Sequence, residues 1–320
     1  MAQVAAVSKD YQALNENAAF IDFSSRGRLC LVGADRQAFL NGQVTNNVKG
    51  LRLGQGCYTA LANAKGKMTS DLNIFVLADE ILLDFEPGLT TKVTERLEKY
   101  IIADDVQIVD ASGSFGLVSV LGPKAVSICE GLGWRVPKSS CGIEFQDGIY
   151  VANVPRLGEP GVDLYFPLEG ESPAAKLTSA GIESCSSEAF EVARVEQGIP
   201  KFGIDMDENT LAPEALGENA ISYAKGCYIG QEVIARIRTY GQVAKALKGM
   251  RFEQAAAVPQ RGDKILHDGK EVGWITSAVY SPKLERPIAL GYVRKECNQI
   301  GAALSVNNFS AQIVAMPFKP

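Results

Sequence analysis

Residues 243–320 alternate short, apolar, strand-like segments with turns of Gly, Pro and Asn, and no other feature limits the fold as strongly. The predicted strands cover residues 243–252, 263–267, 271–279, 288–293, 303–306 and 311–316. Short strands at regular spacing are typical of a small barrel or sandwich. The chain has 320 residues, and at ~150 residues per domain it holds about two domains, or one large domain with an appendage.

The residues before this region mix strands with helices. Predicted strands cover 28–33, 72–77, 81–85, 106–109, 115–121, 149–154 and 162–166, and predicted helices cover 34–40, 90–101, 172–180, 187–197 and the residues after Gly230. Thr90 or Thr91 can cap the second of these helices, and Ser186 or Ser187 the fourth. We therefore predict an α+β chain of three parts: a first α+β module (1–110), a second α+β module (111–242) and a C-terminal β-barrel (243–320).

Composition and charge exclude several classes of protein. The chain is 46 % hydrophobic and 22 % charged, with a formal net charge of −5. An acidic balance argues against direct nucleic-acid binding, since duplex-binding domains carry a basic excess. No apolar run reaches the ~18 residues of a spanning helix. The first residues lack a charged region followed by an apolar core, so we expect no signal peptide, no membrane partner and a cytoplasmic location.

The chain has one histidine, His267, which precedes a predicted Asp268-Gly269 hairpin turn. A multi-histidine metal site cannot form, and a histidine-based triad would have to use this residue. The seven cysteines contain no C-x-x-C pair, which argues against a zinc finger, a disulfide framework and a redox dithiol. We therefore predict no metal site. Chemistry must use carboxylates, cysteine, lysine, tyrosine or a bound cofactor.

The segment KGCYIGQEVIAR, Lys225 to Arg236, is the most informative candidate site. Cys227 lies between Lys225 and the predicted start of a helix, and both features favour a thiolate. Gly226 and Gly230 let the backbone turn closely. The alternative is a buried structural cysteine before an ordinary capped helix, since free cysteine is among the most buried residue types.

Two further segments place carboxylates at notable positions. Glu196 falls in the last turn of a predicted helix, where its charge opposes the helix dipole. Arg194 is about 200° away on that helix, so the two side chains should face different sides. Asp71 leads into an apolar strand, where it can cap a turn or bind a ring N–H. A solvated surface glutamate is the plainer interpretation of Glu196.

Four blocks of the chain resemble YgfZ-type folate-binding proteins, relatives of the glycine cleavage T-protein. The blocks are IDFSSRGRLCLVGADRQAFLNGQVTNNV, CYTALANAKGKMTSDLNIF, RVEQGIPKFGIDMDENTLAPEA with KGCYIGQE, and GWITSAVYSPKLERPIALGYV. The resemblance covers nearly the whole chain in family order. It implies a T-protein-like ring of α+β folate-binding modules closed by a C-terminal β-barrel, with tetrahydrofolate in the central channel.

The same resemblance implies roles for individual residues. Glu196 would hold the pterin ring, because a carboxylate can accept two N–H bonds from an aminopyrimidine edge. Asp71 matches the catalytic aspartate of T-proteins, but Ser70 stands where they carry a second acid, and T-proteins lack the KGCYIGQE cysteine. The predicted catalytic residues are Cys227, Lys225 and Asp71, and the predicted cofactor-binding residues are Asp71, Glu196, Arg194, Tyr58 and Arg236.

Three functions remain open on this basis. The resemblance implies a folate-bound accessory protein in iron–sulfur cluster assembly or repair, which supports enzymes such as those that modify tRNA. Its partners would be iron–sulfur enzymes or cluster-assembly proteins, and Cys227 would be its functional thiol. The second function is a folate-dependent aminomethyltransferase or demethylase that uses Asp71 for acid–base chemistry. The third is a folate-binding scaffold with an inert cysteine.

Overall fold

The computed structural model describes residues 8–241, 243–253 and 257–319, so the predicted absence of a signal peptide falls partly outside the described residues. The helices are α1 (Lys9–Glu16), α2 (Arg36–Gln43), α3 (Thr90–Glu98), α4 (Ala125–Gly131), α5 (Pro173–Ser179), α6 (Ser187–Glu196), α7 (Ala212–Ala215) and α8 (Gln231–Tyr240). The strands are β1 (Ala19–Asp22), β2 (Gly27–Val32), β3 (Gly56–Ala62), β4 (Met68–Val76), β5 (Glu80–Phe85), β6 (Gln107–Asp110), β7 (Phe115–Leu121), β8 (Ile143–Gln146), β9 (Ile149–Asn153), β10 (Val162–Pro167), β11 (Glu183–Ser184), β12 (Lys245–Phe252), β13 (Lys264–His267), β14 (Lys270–Ser281), β15 (Arg286–Arg294), β16 (Ala303–Val306) and β17 (Phe309–Val314).

These strands form two open sheets and one closed barrel. The first sheet has the order β3-β4-β5-β2-β6, the second β11-β1-β7-β10-β9-β8, and the barrel β12-β15-β14-β13-β16-β17. The predicted α+β class with a C-terminal barrel is confirmed. The early strand β1 pairs with β7 and β11, so it joins the second sheet. The division at residues 110 and 242 stays a prediction.

A predicted side-chain cap forms at the start of α6 but not at the start of α3. The Ser186 hydroxyl accepts a hydrogen bond from the Ala189 amide at 3.2 Å, as expected of an N-cap at the start of α6. The predicted threonine cap of α3 is wrong, because Thr90 already lies inside the helix and Leu89 occupies the N-cap without a side-chain bond. Burial of Val93 and Leu97 against the first sheet stabilises α3 instead.

Strand β4 starts at Met68, four residues before the predicted start at 72. Its first residues pair with β3, where Ala60 lies opposite Asp71. Hydrogen bonding to a neighbouring strand thus extends β4 through a segment whose own sequence looks like a turn. Asp71 consequently lies within the sheet and not at its mouth.

The barrel surrounds its own apolar core, which includes Met250, Ile275 and Ile313. His267 ends β13 at the predicted turn, where Asp268 and Gly269 both adopt positive φ angles of 50° and 75°. Its Nδ1 lies 3.0 Å from the Ala303 carbonyl oxygen. None of the helices in the described parts of the chain is long and apolar enough to cross a membrane.

A buried network of four charged side chains joins the two open sheets. Arg156 donates to Asp84 of β5 at 2.9 Å and to Asp163 of β10 at 2.6 Å. Arg26 donates to the other oxygen of Asp84 at 2.9 Å. Burial by itself would raise the pKa of Asp84, but the two guanidinium groups lower it to about 2. The carboxylate is therefore charged and paired across the sheet interface.

We expect Asp84→Asn to lower the free energy of unfolding by about 3–5 kcal/mol, because it leaves two buried cations short of a partner. Urea denaturation measures the loss. Glu271→Gln is the control: Glu271 pairs with Lys264 on the surface at 2.7 Å, and an exposed pair contributes less than about 1 kcal/mol. Equal losses in the two variants would contradict the proposed role of the network.

Candidate functional site

A cavity of about 510 Å³ lies where the two open sheets meet α6. Its walls come from β1, β3, β4, the segment 154–156, α6 and the loops 198–201 and 215–217. Ser187, Phe190 and Arg194 present one face of α6 to it, at the i, i+3 and i+7 spacing of a helix. A volume of this size suits an organic ligand of cofactor class.

Tyr58 and Asp71 form a pair in the cavity wall, on the neighbouring strands β3 and β4. The Tyr58 hydroxyl donates to Asp71 Oδ2 at 2.8 Å. Asp71 Oδ1 is buried and has no hydrogen-bond partner among the residues that the structure describes. Burial, with the nearby charge of Glu86, raises the pKa of Asp71 to about 6. Asp71 can therefore hold or release a proton near neutral pH, and its free oxygen can accept an N–H from a ligand.

Two aromatic rings also line the cavity. The Phe23 and Phe190 rings meet edge to face with centroids 5.2 Å apart, and both line the cavity. Arg26 and Arg156 line the same cavity, and the Arg156 guanidinium lies 5.3 Å from the centroid of the Phe23 ring. A flat heterocycle can thus pack against rings on one side while a carboxylate meets its polar edge.

Arg194 lines the cavity, but its guanidinium is fully occupied by the protein. Five hydrogen bonds use its five N–H groups, to the Glu191 carboxylate (two bonds), the Ile199 carbonyl, Asp205 Oδ2 and Ser277 Oγ. The side chain ties α6 to the loop after it and to the barrel. No N–H of Arg194 therefore remains for a ligand, and its predicted role in cofactor binding stays a prediction, with the side chain placed in the cavity wall.

Glu196, like Arg194, reaches strand β14, but it bonds to different partners. Its Oε1 accepts hydrogen bonds from the Tyr11 hydroxyl at 2.7 Å and from Ser281 Oγ at 2.5 Å. Burial raises its pKa despite these two bonds. Glu196 is not among the residues that line the cavity. Its predicted contact with a pterin ring stays a prediction, and Asp71 supplies the carboxylate oxygen that the structure leaves free.

Lys225 is buried, and the backbone holds its ammonium group. Its Nζ donates to three backbone carbonyls, of Asn41, Val44 and Asn46, at 2.6, 2.8 and 2.6 Å. Burial lowers its pKa to about 8. All three protons of the ammonium are used in these bonds, and the predicted effect of Lys225 on the Cys227 thiolate stays a prediction. The lysine anchors the loop that carries the cysteine.

Cys227 lies on the surface, outside the cavity, four residues before α8. Of the seven cysteines, all within the described residues, it alone is exposed. Gly230 takes a positive φ of 85° as the N-cap of α8, and a Cβ there would lie 2.5 Å from the Asn63 carbonyl oxygen. Arg236 is exposed on α8 and does not line the cavity, so the structure does not bring it to the other predicted cofactor-binding residues.

Several residues of the cavity carry no signal in the sequence. Phe190 and Asn219 come from distant segments without a motif, and only the fold brings them to the cavity. Glu86 follows the apolar strand β5 directly, which is the one local hint of a carboxylate at a strand end. In the described residues, no group of three or more His, Cys, Asp or Glu side chains is arranged to hold a metal ion.

Comparison with known proteins matches both parts of the chain. Residues 2–225 match the GCVT N-terminal domain, and residues 245–319 match the glycine cleavage T-protein C-terminal barrel domain. A putative chloroplastic transferase from Arabidopsis thaliana is 30 % identical over 315 residues, which cover 95 % of this chain and 71 % of the relative. An aminomethyltransferase from Nostoc sp. is 27 % identical over 335 residues, which cover 99 % and 88 %.

The same architecture occurs in a solved structure. The crystal structure of glycine cleavage system aminomethyltransferase T from Bartonella henselae superposes with a TM-score of 0.89 at 20 % identity, covering 98 % of this chain and 89 % of that one. At this identity the likeness shows the fold alone. Together with the two domain matches it leads to one conclusion: this chain belongs to the glycine cleavage T-protein family.

Proposed function

We propose that this protein binds tetrahydrofolate in the cavity beside Asp71 and supports iron–sulfur enzymes through the exposed thiol of Cys227. The observation that carries the ligand part is the unpartnered, buried Asp71 Oδ1 in the wall of a 510 Å³ cavity. A buried acceptor without a donor is costly, and a bound N–H removes that cost. Membership of the T-protein family and relatives named aminomethyltransferase support the same ligand.

The residues present fit a pterin. Phe23 and Phe190 offer ring surfaces, and Asp71 offers an acceptor whose geometry Tyr58 fixes. Bound tetrahydrofolate supplies a carrier for one-carbon units. The chain itself orients the ligand, excludes water with its aromatic wall, and can take up a proton at Asp71 as the pH falls to about 6.

Asp71→Asn tests the ligand part. The substitution keeps the shape and the bond from Tyr58, but it places an amide N–H where Oδ1 was, so a ligand donor faces a donor. We expect tetrahydrofolate affinity to fall by about 1.5–3 kcal/mol, the scale of a charged hydrogen bond. Isothermal calorimetry measures this. Asp79→Asn is the matched control, since Asp79 is exposed in the turn after β4; unchanged affinity in Asp71→Asn would remove Asp71 from the binding site.

The raised pKa of Asp71 also predicts a pH-dependent stability. Between pH ~4 and ~6 the folded protein holds this proton more tightly than the unfolded chain, so wild-type stability falls as the pH rises through that window. Asp71→Asn removes the buried charge. We expect its free energy of unfolding to exceed that of wild type by about 1–2 kcal/mol at pH 7.5, after allowance for partial exposure, and to match it below pH ~4. Urea denaturation at both pH values decides; a less stable variant at pH 7.5 contradicts the interpretation.

The thiol part of the proposal rests on position. Cys227 is exposed while the cavity lies elsewhere, so a macromolecular partner can reach the thiol with a ligand bound. One cysteine cannot hold a cluster alone. Any cluster must therefore be transient or shared with an iron–sulfur enzyme or assembly protein, including enzymes that modify tRNA. A cytoplasmic location and the YgfZ-type subgroup are parts of this proposal.

Alkylation and complementation test the thiol. Burial raises the pKa of Cys30, and raises that of Cys129 to about 12, so iodoacetamide should label Cys227 first in peptide-resolved mass spectrometry. Cys227→Ser should keep the fold and tetrahydrofolate binding but fail to complement an iron–sulfur enzyme defect, whereas Cys297→Ser should complement. Full complementation by Cys227→Ser would leave the folate-binding scaffold as the better description.

A second candidate function is a folate-dependent aminomethyltransferase or demethylase. The observation that favours it is the pKa of about 6 at Asp71, which suits general acid–base work. Ser70, beside Asp71, is fully buried and donates to the Asp71 backbone carbonyl, so it adds no second acid. Formation of methylenetetrahydrofolate from an aminomethyl-loaded lipoyl carrier is the activity that separates the two functions.

A further inference from the structure

A continuous segment runs from the cavity wall to the exposed thiol. This segment, residues 219–229, is called the strap below. It lies along residues 41–46 and is fastened to them at several points. Thr45 Oγ1 donates to the Ala220 carbonyl at 2.7 Å, the Ser222 amide donates to the Thr45 carbonyl at 3.0 Å, and the Ile229 amide donates to the Gly42 carbonyl at 3.0 Å.

At the cavity end, one amide side chain holds two walls. Asn46 Nδ2 donates to the Asn219 carbonyl at 2.8 Å and to the Tyr58 carbonyl at 2.9 Å. Asn219 and Tyr58 both line the cavity. The Tyr58 side chain in turn donates to Asp71. A ligand that presses on either wall therefore acts on Asn46.

At the thiol end, Lys225 fastens the strap to the same segment. Its three bonds reach the carbonyls of Asn41, Val44 and Asn46, and only 9 % of the residue is exposed. A cation beside the C-terminal carbonyls of α2 is also favoured by the helix dipole. Because Asn46 contacts the two cavity walls through its side chain and Lys225 through its carbonyl, one residue connects both ends.

We propose that the strap couples the cavity to Cys227, with Asn46 and Lys225 as positioning residues, so that tetrahydrofolate in the cavity restricts the loop that carries the thiol. This inference rests on the proposed function. A ligand packed against Asn219 and Tyr58 reduces the motion of the cavity walls. Because the strap is hydrogen-bonded to residues 41–46, the motion of Cys227, two residues beyond Lys225, is reduced as well. The accessibility of the Cys227 thiol then depends on whether tetrahydrofolate occupies the cavity.

The experiment measures iodoacetamide alkylation of Cys227 by peptide-resolved mass spectrometry, with and without saturating tetrahydrofolate. Cys297, half-buried after the barrel strand β15, is the reference in the same molecule. We expect the ligand to slow Cys227 at least about fivefold, the lower range of coupling between ligand sites, and to leave Cys297 unchanged. An unchanged or faster rate in saturated protein overturns the coupling.

Asn46→Asp breaks the connection with little change of shape, since both donor bonds from Nδ2 are lost. Asn47→Asp is the matched control, because the Asn47 side-chain oxygen only accepts a bond from the Gly50 amide, which an aspartate also accepts. We expect Asn46→Asp to bind tetrahydrofolate while Cys227 no longer responds, and Asn47→Asp to respond as wild type does. A normal response in Asn46→Asp overturns the role of Asn46.

Lys225→Met removes the three hydrogen bonds from Nζ to residues 41–46. We expect that tetrahydrofolate no longer changes the alkylation rate of Cys227 in this variant. If that variant does not fold, Asn46→Asp still decides the question. Calorimetry of tetrahydrofolate binding to the wild-type protein distinguishes a failure of the coupling from a failure of the proposed function. Tetrahydrofolate that binds without an effect on Cys227 overturns the coupling alone, whereas the absence of binding overturns the proposed function and the coupling with it.

Discussion

The buried charge network around Asp84 is the interaction on which the site depends. An isolated carboxylate with no exposure would be too costly to keep charged, so it requires Arg26 and Arg156 together. These two guanidinium groups come from different parts of the chain, and they fix the first sheet against the second. Both also line the cavity. The network therefore stabilises the sheet interface and shapes the space in which a ligand lies.

The cavity and the Cys227 thiol lie at separate places, and Lys225 holds the loop between them. Lys225 next to Cys227 suggests an activated thiolate when the sequence is considered alone. In the folded chain its ammonium points to the end of α2 and holds a loop. The proposed acid–base chemistry at Asp71 and the proposed thiol chemistry at Cys227 would thus occupy different places, connected through Asn46. Such a division suits a protein that senses a small molecule and acts on a large partner.

Individual residues show which parts of the site can be predicted from the sequence. Tyr58 and Asp71 were both predicted for the site, and they meet in one hydrogen bond because their strands are neighbours. The hydrogen bonds that occupy the Arg194 guanidinium have no signal in the sequence, since they involve residues up to 83 positions away. The partners of Glu196 are Tyr11 and Ser281, which come from the first helix and the barrel and which the sequence of α6 does not indicate.

By itself the sequence determined the features whose causes are local. Alternating apolar residues and short turns specify the barrel strands, Ser186 specifies the start of α6, and Asp268-Gly269 specifies a hairpin. Tertiary structure alone decided the proton affinity of Asp71 and the partners of Lys225, whose carbonyl acceptors lie up to 184 positions away. The reason is physical: turns and caps depend on neighbours along the chain, whereas burial and charge pairing depend on neighbours in space.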